Sequence, residues 1–376
     1  MVMFNKPYLT GNESAYIQQA LFSGHLSGDG SFSKQCHTWL ENQTGASKVL
    51  LTHSCTGALD IAALLSGVGH GDEVIMPSFT FVSTANAFAL RGATPVFVDI
   101  RPDTQNIDET LIEAAITEKT KAIVPVHYAG VSCEMDVVMD IAKRHNLLVI
   151  EDAAQGIMAS YKARALGAIG DIGALSFHET KNITSGEGGA LLLRDSRFSE
   201  MAEIIREKGT NRQQFFRGQV DKYTWSDIGS SFLVSDMAAA FLIAQLEQAE
   251  IITELRLKIW KRYFDAFQEL LERELIGLPT VPQTCNHNAH MFYLMLPDLE
   301  RRTAFISYMA ARDIHTYFHY VPLHNSPVGK KIGRSHGDMH HTESTSDRLV
   351  RLPLYAGLTE EEQENVISAV YSFFGS

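Results

Sequence analysis

Between residues 46 and 193, short apolar runs rich in β-branched residues alternate with segments of helical periodicity. The apolar runs are 48–51, 73–76, 95–99, 122–126, 147–150, 173–177 and 190–193. Helical patterns lie between them at 56–65, 80–90, 108–116 and 134–145. Alternation at this spacing is typical of right-handed crossovers in a mostly parallel sheet with helices on both faces. We therefore predict an α/β domain whose functional residues follow the strands, at their carboxyl ends.

The pattern changes after residue 235. Residues 236–271 predict a long amphipathic helix broken once, which leads into a second region. That region contains strand-like segments at 290–296 and 315–321 and helical segments at 303–312 and 360–374. With 376 residues, the chain is long enough for two domains. We predict a large domain over residues 1–245, which includes an N-terminal segment, and a smaller α+β domain over 246–376.

Charge and cysteine content restrict the class of protein. A net charge of -12 disfavours nucleic acid and acidic membranes as main partners. The four cysteines, Cys36, Cys55, Cys133 and Cys285, form no C-x-x-C pair, which is typical of a reducing compartment and indicates no zinc site. The histidines of 336–341 are interpreted as a solvated loop and not as a metal site. No signal-peptide pattern or apolar run of about 20 residues occurs, so we expect a cytoplasmic protein.

A strand-to-helix transition spans residues 50–59, Leu-Leu-Thr-His-Ser-Cys-Thr-Gly-Ala-Leu. Free backbone N–H groups and the hydroxyls of Ser54 and Thr56 would meet there at a helix N-terminus, which can bind a phosphate. The alternative is that one of these residues simply caps the helix, and the stretch taken alone favours that interpretation. No G-x-x-x-x-G-K-[ST] motif indicates an ATP site.

Acidic residues follow the apolar run at 147–150, in the sequence Glu151-Asp152-Ala-Ala-Gln155. A carboxylate at the end of a buried strand is costly to desolvate unless a cation or strong donors face it. Asp152 therefore either pairs with a positive group or caps the next turn, and the sequence leaves both open. Gln155 would add a neutral donor, although a surface position is more typical of glutamine.

A lysine follows the next strand, in Ser176-Phe-His178-Glu-Thr-Lys181, and glycines come soon after it. A phosphate site, an acid and a lysine in this order are the parts needed to hold pyridoxal 5′-phosphate (PLP). The helix N-terminus would bind the phosphate, the acid would keep the pyridine nitrogen protonated, and the lysine would attach the cofactor. Glycines beyond Lys181 permit a tight turn. Each pattern is weak alone, and together they predict a PLP enzyme.

These motifs, with Pro77-Ser-Phe-Thr-Phe81 upstream, resemble the DegT/DnrJ/EryC1/StrS sugar aminotransferases over nearly the whole chain. The resemblance implies the type I fold of PLP-dependent transferases, which is aspartate aminotransferase-like, and a homodimer with shared active sites. It implies that Lys181 attaches the cofactor and Asp152 pairs with the pyridine nitrogen.

The resemblance also implies supporting roles for further residues. They are Cys55, Thr56 and Ser176 at the phosphate, Phe81 stacked on the ring, Gln155 beside the phenolic oxygen, and His178 in a supporting position. For Phe81 the alternative is ordinary core packing, which is the usual role of such a residue.

Three further segments, 207–212, 216–225 and 319–324, resemble family members that make dTDP-4-amino-4,6-dideoxygalactose for enterobacterial common antigen. This resemblance implies transfer of an amino group from L-glutamate to dTDP-4-dehydro-6-deoxyglucose. The residues that it implies in substrate binding are Arg212, Lys222, His319 and His324. Arginine and aromatic side chains suit a diphosphate flanked by a base and a sugar.

Several alternatives stay open at this point. Residues 212–225 would also suit a basic surface loop whose aromatic side chains pack on the domain beneath, and the two histidines would suit structural roles. The enzyme could act at C3 or on another nucleotide-linked keto sugar. A non-catalytic regulatory protein that binds PLP or a nucleotide sugar is a further alternative, although it would have little reason to keep Lys181 and Asp152 together.

One segment departs from the family pattern. Many members have Tyr-Asn-Tyr-Arg before the long helix, where the asparagine reaches the phosphate of the neighbouring subunit's cofactor. This chain has Gly-Ser-Ser-Phe-Leu at 229–233, with Ser231 in place of the asparagine and Leu233 in place of the arginine. A serine hydroxyl can donate one hydrogen bond, so we expect Ser231 to contact the partner subunit's cofactor.

Overall fold

The computed structural model describes residues 1–375. Its strands are β1 (Lys48–Thr52), β2 (Glu73–Pro77), β3 (Thr94–Val98), β4 (Thr120–Ile123), β5 (Leu148–Asp152), β6 (Ser160–Tyr161), β7 (Arg164–Ala165), β8 (Ile172–Ser176), β9 (Gly189–Leu193), β10 (Cys285–Asn286), β11 (Phe292–Met295), β12 (Tyr317–Phe318), β13 (Arg334–Ser335) and β14 (Leu349–Leu352).

The helices alternate with these strands in the first half of the chain and dominate the second. They are α1 (Glu13–Ser23), α2 (Ser31–Thr44), α3 (Cys55–Leu65), α4 (Val82–Ala89), α5 (Glu109–Ala115), α6 (Met135–His145), α7 (Ser199–Arg206), α8 (Arg212–Phe216), α9 (Asp236–Leu246), α10 (Ala249–Ala266), α11 (Gln268–Glu272), α12 (Leu299–Ala310), α13 (Pro327–Ile332), α14 (His340–Arg348) and α15 (Glu360–Phe374).

The main sheet confirms the predicted α/β architecture. Across residues 1–375 it contains eight strands in the order β1-β9-β8-β5-β4-β2-β3-β13. The neighbours from β8 to β13 are parallel, whereas β9 is antiparallel to both β1 and β8. The segment between β8 and β9 contains no helix, so the chain turns back tightly, as an antiparallel pair permits.

Both faces of this sheet are buried, which explains the continuous apolar runs. A hydrophobic core lies on each face, and consecutive residues of one strand pack into different cores. Leu51 packs with residues of α2 and α9, and Leu50 packs with residues of α3 and α4. Strands that are covered on both faces lack the apolar–polar alternation of a half-exposed sheet.

A second antiparallel sheet, β11-β14-β12, packs with α10, α12 and α15 around a separate core. Val2 joins this core and pairs with Ile314, while β13 extends the edge of the main sheet. The division between residues 245 and 246 stays a prediction. Within residues 1–375, no helix combines the length and apolar character that a membrane span requires.

Three sequence expectations were wrong in detail. The helix over 236–271 is divided twice, into α9, α10 and α11, because α9 is buried almost all round whereas α10 keeps one face in solvent. The strand expected over 315–321 pairs only at Tyr317–Phe318, shortly before Pro322. The helix expected from residue 303 begins at Leu299, because the Asp298 side chain caps it by accepting the Arg301 N–H at 2.7 Å.

Candidate active site

A cavity of about 660 Å³ opens where β5 and β8 end, between the main sheet and the second sheet. The wall on the side of the main sheet includes Cys55, Thr56, Phe81, Asp152, Gln155, Ser176, His178 and Lys181. Its opposite wall includes His290, Tyr317, His319, Tyr320 and Arg351, and the N-terminal segment adds Phe4 and Asn5. The cavity thus brings together residues that are far apart in the sequence, such as Phe4 and Arg351.

Asp152 is the last residue of β5, and its carboxylate is buried at the floor of the cavity. The Thr84 hydroxyl donates to Oδ2 at 2.6 Å, and the Ala154 N–H donates to Oδ1 at 3.1 Å. Thr80 supports this arrangement, since its hydroxyl lies 2.8 Å from that of Thr84. These donors fix the orientation of the carboxylate, and they offset part of the cost of burying it.

The neighbouring carboxylate, Glu151, has a structural role. Consecutive residues of a strand point to opposite faces, so the Glu151 side chain lies on the other face of the sheet from that of Asp152. It accepts hydrogen bonds from His127 Nε2 and from the N–H groups of Gly167, Ile169 and Gly170, at 2.6–2.9 Å. Burial opposes its ionisation, but His127 and these N–H groups lower the pKa of Glu151 below its usual value. Glu151 therefore ties the loop after β7 to the end of β5.

Lys181 lies in the turn after β8, and its side chain is half-buried in the cavity wall. Within the described residues, Nζ makes no hydrogen bond and no salt bridge. Desolvation lowers the pKa of Lys181 below its ordinary value, and Arg351 adds to this effect, whereas Cys55 and Asp152 oppose it. An amine in this setting loses its proton more readily than a lysine in water does.

The start of α3 forms the upper wall. Ser54 caps this helix, because its Oγ accepts the Gly57 N–H at 3.0 Å, so the capping interpretation is confirmed for Ser54. Cys55 and Thr56 occupy the first turn, where backbone N–H groups have no intrahelical acceptor. The Thr56 hydroxyl lies 2.8 Å from that of Ser83. Two N–H groups and a cluster of hydroxyls therefore face the cavity.

Glycine at the start of β9 permits this wall to form. A Cβ on Gly189 would lie 2.4 Å from Cys55 N, so any side chain would displace the helix start. Gly186 has a φ of 79°, which supplies the tight turn expected after Lys181. The hydroxyl of Ser176 lines the same part of the cavity.

Phe81 and Gln155 lie on the same cavity wall. Phe81 precedes α4 and its side chain is 58% exposed, so the core-packing alternative is wrong. Gln155 is buried, and the surface alternative is therefore also wrong. Its Oε1 accepts the Ala129 N–H at 2.6 Å, and its Nε2 donates to the Tyr320 hydroxyl at 3.2 Å. Gln155 thus links the two walls of the cavity.

The predicted histidines separate into three environments. His178 is half-buried at the rim, with Nδ1 2.9 Å from the Thr180 hydroxyl. His319 lies in the cavity wall with Nδ1 3.0 Å from the Tyr128 hydroxyl, and desolvation holds its pKa well below the usual range. His324 lies outside the cavity lining, where it bonds to Ser78 at 2.7 Å and to Glu343 at 3.3 Å.

The segment 212–225 and Ser231 lie away from this cavity in the same chain. Arg212 pairs with Glu207 at 3.1 Å and lies over the Phe216 ring at 5.1 Å, and Lys222 is exposed. Ser231 is also exposed and pairs with Glu207 through the backbone. These residues therefore stay predictions as ligands, and the described cavity lining contains none of them.

Sequence reasoning missed several residues of the cavity. They are Phe4, His290, Tyr320 and Arg351. Arg351 carried the clearest signal, because it is one charge inside the apolar run Leu349-Val-Arg-Leu-Pro-Leu-Tyr355. The others occur in ordinary amphipathic stretches and are brought to the cavity by tertiary contacts alone.

The residues present fit PLP. A buried carboxylate with two donors, a partner-free amine and a helix start with a closely apposed glycine face one cavity, and these match the pyridine nitrogen, the aldehyde carbon and the phosphate. When bound, the cofactor supplies an electron sink next to the amine.

Comparison with known proteins agrees with this fit. Residues 7–371 match the profile of the DegT/DnrJ/EryC1/StrS aminotransferase family. The chain belongs to this family. It is 32% identical to GDP-perosamine synthase of Caulobacter vibrioides, over 97% of this chain and 96% of that protein. It is 33% identical to the spore coat polysaccharide biosynthesis protein SpsC of Bacillus subtilis, over 98% and 95% of the two chains.

Solved structures of the family have the same fold. Spr1654 of Streptococcus pneumoniae, assigned as a sugar aminotransferase, superposes in its pyridoxamine form (PMP form) with a TM-score of 0.92 at 26% identity, over 99% of both chains. Its PLP form superposes with a TM-score of 0.91. The chain is thus a PLP-dependent sugar aminotransferase with the type I fold, which acts on a keto sugar and an amino donor.

Proposed function

We propose that this enzyme transfers the amino group of L-glutamate to C4 of dTDP-4-dehydro-6-deoxyglucose, which yields dTDP-4-amino-4,6-dideoxygalactose for enterobacterial common antigen. The observation that carries the aminotransferase part is the partner-free amine of Lys181 in the same cavity as the buried carboxylate of Asp152. The choice of sugar rests on the resemblance of residues 207–225 and 319–324 to enzymes that make this product.

Lys181 has two tasks in this proposal. Its Nζ holds the cofactor in the resting enzyme, and the released amine then moves a proton between the donor carbon and C4′ of the cofactor. The lowered pKa of Lys181 suits the second task, because a base must be unprotonated before it can accept a proton.

The other cavity residues hold and orient the cofactor. Asp152, fixed by Thr84, binds the protonated pyridine nitrogen through a charge-assisted hydrogen bond. The N–H groups of Cys55 and Thr56 and the Ser176 hydroxyl bind the phosphate. Phe81 and Gln155, which line the cavity, would hold the ring and its phenolic oxygen. His178 supports this cluster from the rim.

Substrate recognition uses residues of two regions. His319, which lines the cavity, and His324, which lies outside the lining, are proposed to contact the sugar or its phosphates. Arg212 and Lys222, on the exposed segment 212–225, bind the diphosphate in this proposal. Arg217 is less available, because both its terminal nitrogens bind Glu203 at 2.8–3.0 Å.

The exposed positions of Arg212, Lys222 and Ser231 favour a homodimer with shared active sites. In a single chain these side chains lie outside the cavity lining, so a second copy is needed to bring them to a cofactor. Ser231 would then donate one hydrogen bond to the phosphate in the partner subunit.

A second candidate is the same reaction at C4 of a GDP-linked keto sugar. The 32% identity to GDP-perosamine synthase favours it. The two candidates differ at the nucleotide, where the exposed segment 212–225 acts, and share the cavity chemistry. Transfer at C3 and a regulatory role without catalysis are the remaining alternatives, and the described cavity favours neither.

The test is an incubation of the PLP enzyme with L-glutamate and either dTDP-4-dehydro-6-deoxyglucose or its GDP-linked counterpart, followed by magnetic resonance of the product. The proposal expects the dTDP sugar as preferred substrate, with an axial amino group at C4. Three results would contradict the proposal: an amino group at C3, an equatorial amino group at C4, or a preference for the GDP sugar. No absorbance change with glutamate would contradict the donor assignment.

A further inference from the structure

His290 is a polar group of the cavity to which the proposed roles give no task. It lies just before β11, in the lining of the same cavity as Lys181. Its Nδ1 lies 2.9 Å from Oδ1 of Asn182, the residue that follows Lys181 in the chain. Among residues 1–375, its Nε2 has no hydrogen-bond partner. One edge of the imidazole is therefore tied to the turn that carries Lys181, and the protein leaves the other edge unused.

The hydrogen bonds of Asn182 fix which nitrogen of His290 carries the proton. Asn182 Nδ2 donates to the Asn288 carbonyl at 2.8 Å, so the other amide atom, Oδ1, must be the acceptor. His290 Nδ1 is therefore the donor in the contact with Asn182. Desolvation holds the pKa of His290 well below its usual range, and the charge of Lys181 lowers it further. The ring is thus neutral, and Nε2 is an unprotonated acceptor.

The backbone of His290 is held as firmly as its ring. Its N–H donates to Asn288 Oδ1 at 3.0 Å, and its carbonyl accepts from Arg256 Nη2 at 2.7 Å. Asn288 Nδ2 in turn donates to the carbonyls of Gln155 and Ile157, both at 2.7 Å. The acceptor is therefore preorganised, because little freedom of the side chain or backbone is lost when a ligand binds.

A fixed lone pair selects a ligand group that donates a hydrogen bond. It disfavours an ionised carboxylate or phosphate, which can only accept. The keto sugar of the proposed reaction brings donors, since it has hydroxyls at C2 and C3. The C3 hydroxyl is attached to the carbon next to C4, and C4 must reach the amine of Lys181, whose next residue bonds to His290. The C2 hydroxyl is one carbon farther away.

We propose that Nε2 of His290 accepts a hydrogen bond from the C3 hydroxyl of the keto sugar and thereby selects sugars that carry this hydroxyl. His290 is then a substrate-binding residue of the sugar half-reaction alone, because L-glutamate has no hydroxyl to donate. This inference rests on the proposed function, since it takes a 4-keto sugar with a C3 hydroxyl as the amino acceptor. It places a determinant of sugar specificity inside the cavity, apart from the exposed segment 212–225.

The test compares two sugars in the sugar half-reaction. The PMP form of the enzyme is mixed with dTDP-4-dehydro-6-deoxyglucose or with the same nucleotide sugar without its C3 hydroxyl, and cofactor absorbance gives the second-order rate constant for each. His290→Phe keeps a planar ring and removes the acceptor, whereas His290→Gln offers an amide oxygen in its place. The matched control is His287→Phe, because His287 lies in the same segment and packs edge-on against Trp260 at 4.5 Å, outside the cavity lining.

For the wild type we expect the sugar without the C3 hydroxyl to react about tenfold or more slowly, because the lone pair is then left without a donor. His290→Phe should react with the complete sugar about tenfold or more slowly than the wild type does, and it should distinguish the two sugars less than about twofold. His290→Gln should recover part of this discrimination, and His287→Phe should match the wild type. In His290→Phe the rate of the glutamate half-reaction and the Kd of dTDP, measured by calorimetry, should change less than about twofold.

Equal rates of the two sugars with the wild type would overturn the inference without any variant. So would an undiminished preference in His290→Phe, which would assign the C3 hydroxyl to another group. Equal slowing of both half-reactions in His290→Phe would also overturn it, because His290 would then serve Lys181 or the cavity wall. Failure of the proposed function looks different: the wild-type PMP form then reacts with neither dTDP sugar, and the inference falls with it.

Discussion

The cavity around Lys181 and the exposed segment 212–225 hold their polar groups in opposite ways. In the cavity, strand ends and a helix start fix each group, and buried donors such as Thr84 orient the acid. In the segment 212–225, Arg212 pairs with Glu207, and the aromatic side chains of the segment are exposed to solvent. Apart from Ser231, the groups proposed for the cofactor chemistry therefore lie in the cavity of one chain, whereas substrate recognition in our proposal also needs groups that one chain leaves in solvent.

This difference predicts how substitutions divide between the two half-reactions. A change in the cavity should impair the donor and the sugar half-reactions together, because both use the cofactor. A change in segment 212–225 should impair the sugar half-reaction alone.

Lys181→Ala should abolish turnover and leave the chain folded, because alanine can neither hold the cofactor nor move the proton. Both half-reactions, followed by cofactor absorbance, should be lost, while thermal unfolding stays cooperative. Lys121→Ala, which changes an exposed lysine of β4, is the control and should behave like the wild type. Substantial turnover by Lys181→Ala would remove Lys181 from the mechanism.

Asp152→Asn should slow both half-reactions about ten- to a hundredfold, since a charge-assisted hydrogen bond becomes a neutral one. Cofactor binding should weaken as well, which dialysis against PLP-free buffer followed by absorbance would measure. Asp140→Asn, an exposed change on α6, provides the control. Near-normal rates for Asp152→Asn would mean that another group keeps the ring nitrogen protonated.

Arg212→Ala and Lys222→Ala should raise the KM for the nucleotide sugar about five- to tenfold and leave the glutamate half-reaction nearly unchanged. Arg197→Ala is a matched control, because Arg197 also pairs with an acid and lies over a phenylalanine, at Asp195 and Phe198. Equal losses in both half-reactions would mean that the segment supports the fold, and the substrate assignment would be withdrawn.

Ser231→Ala should reduce turnover only about two- to tenfold, the effect of one neutral hydrogen bond. The bulkier Ser231→Trp should block the neighbouring site, so it serves in a mixing experiment. When Ser231→Trp chains are mixed with Lys181→Ala chains, a shared site containing both native residues forms and activity returns. A mixture that stays inactive would place Ser231 in its own chain's site. Full activity of Ser231→Trp chains alone would place Ser231 outside any site.

The sequence predicted the cavity wall beside the main sheet better than the opposite wall. The local pattern was enough for the first wall, because its functional residues lie at or soon after the ends of strands: Asp152 at the end of β5, Lys181 after β8 and the start of α3 after β1. Arg351 and His290 reach the cavity only because β11 and β14 pack against it, a long-range arrangement that periodicity does not encode.

Backbone boundaries were predicted where a local signal existed. The final helix begins after Thr359, which forms a capping box with Glu362, and it was predicted with the correct bounds. The antiparallel direction of β9, which depends on its pairing with the distant β1, was missed. The second break of the helix over 236–271, between α10 and α11, was also missed.

In our proposal the amine of Lys181 holds the cofactor in the cavity at the ends of β5 and β8. Reduction of the PLP enzyme with borohydride, followed by peptide mapping, tests this directly, because reduction fixes the cofactor to the amine that carries it. We predict one labelled peptide, containing Lys181. A label on any other lysine, or no covalent label while the protein is yellow, would contradict it.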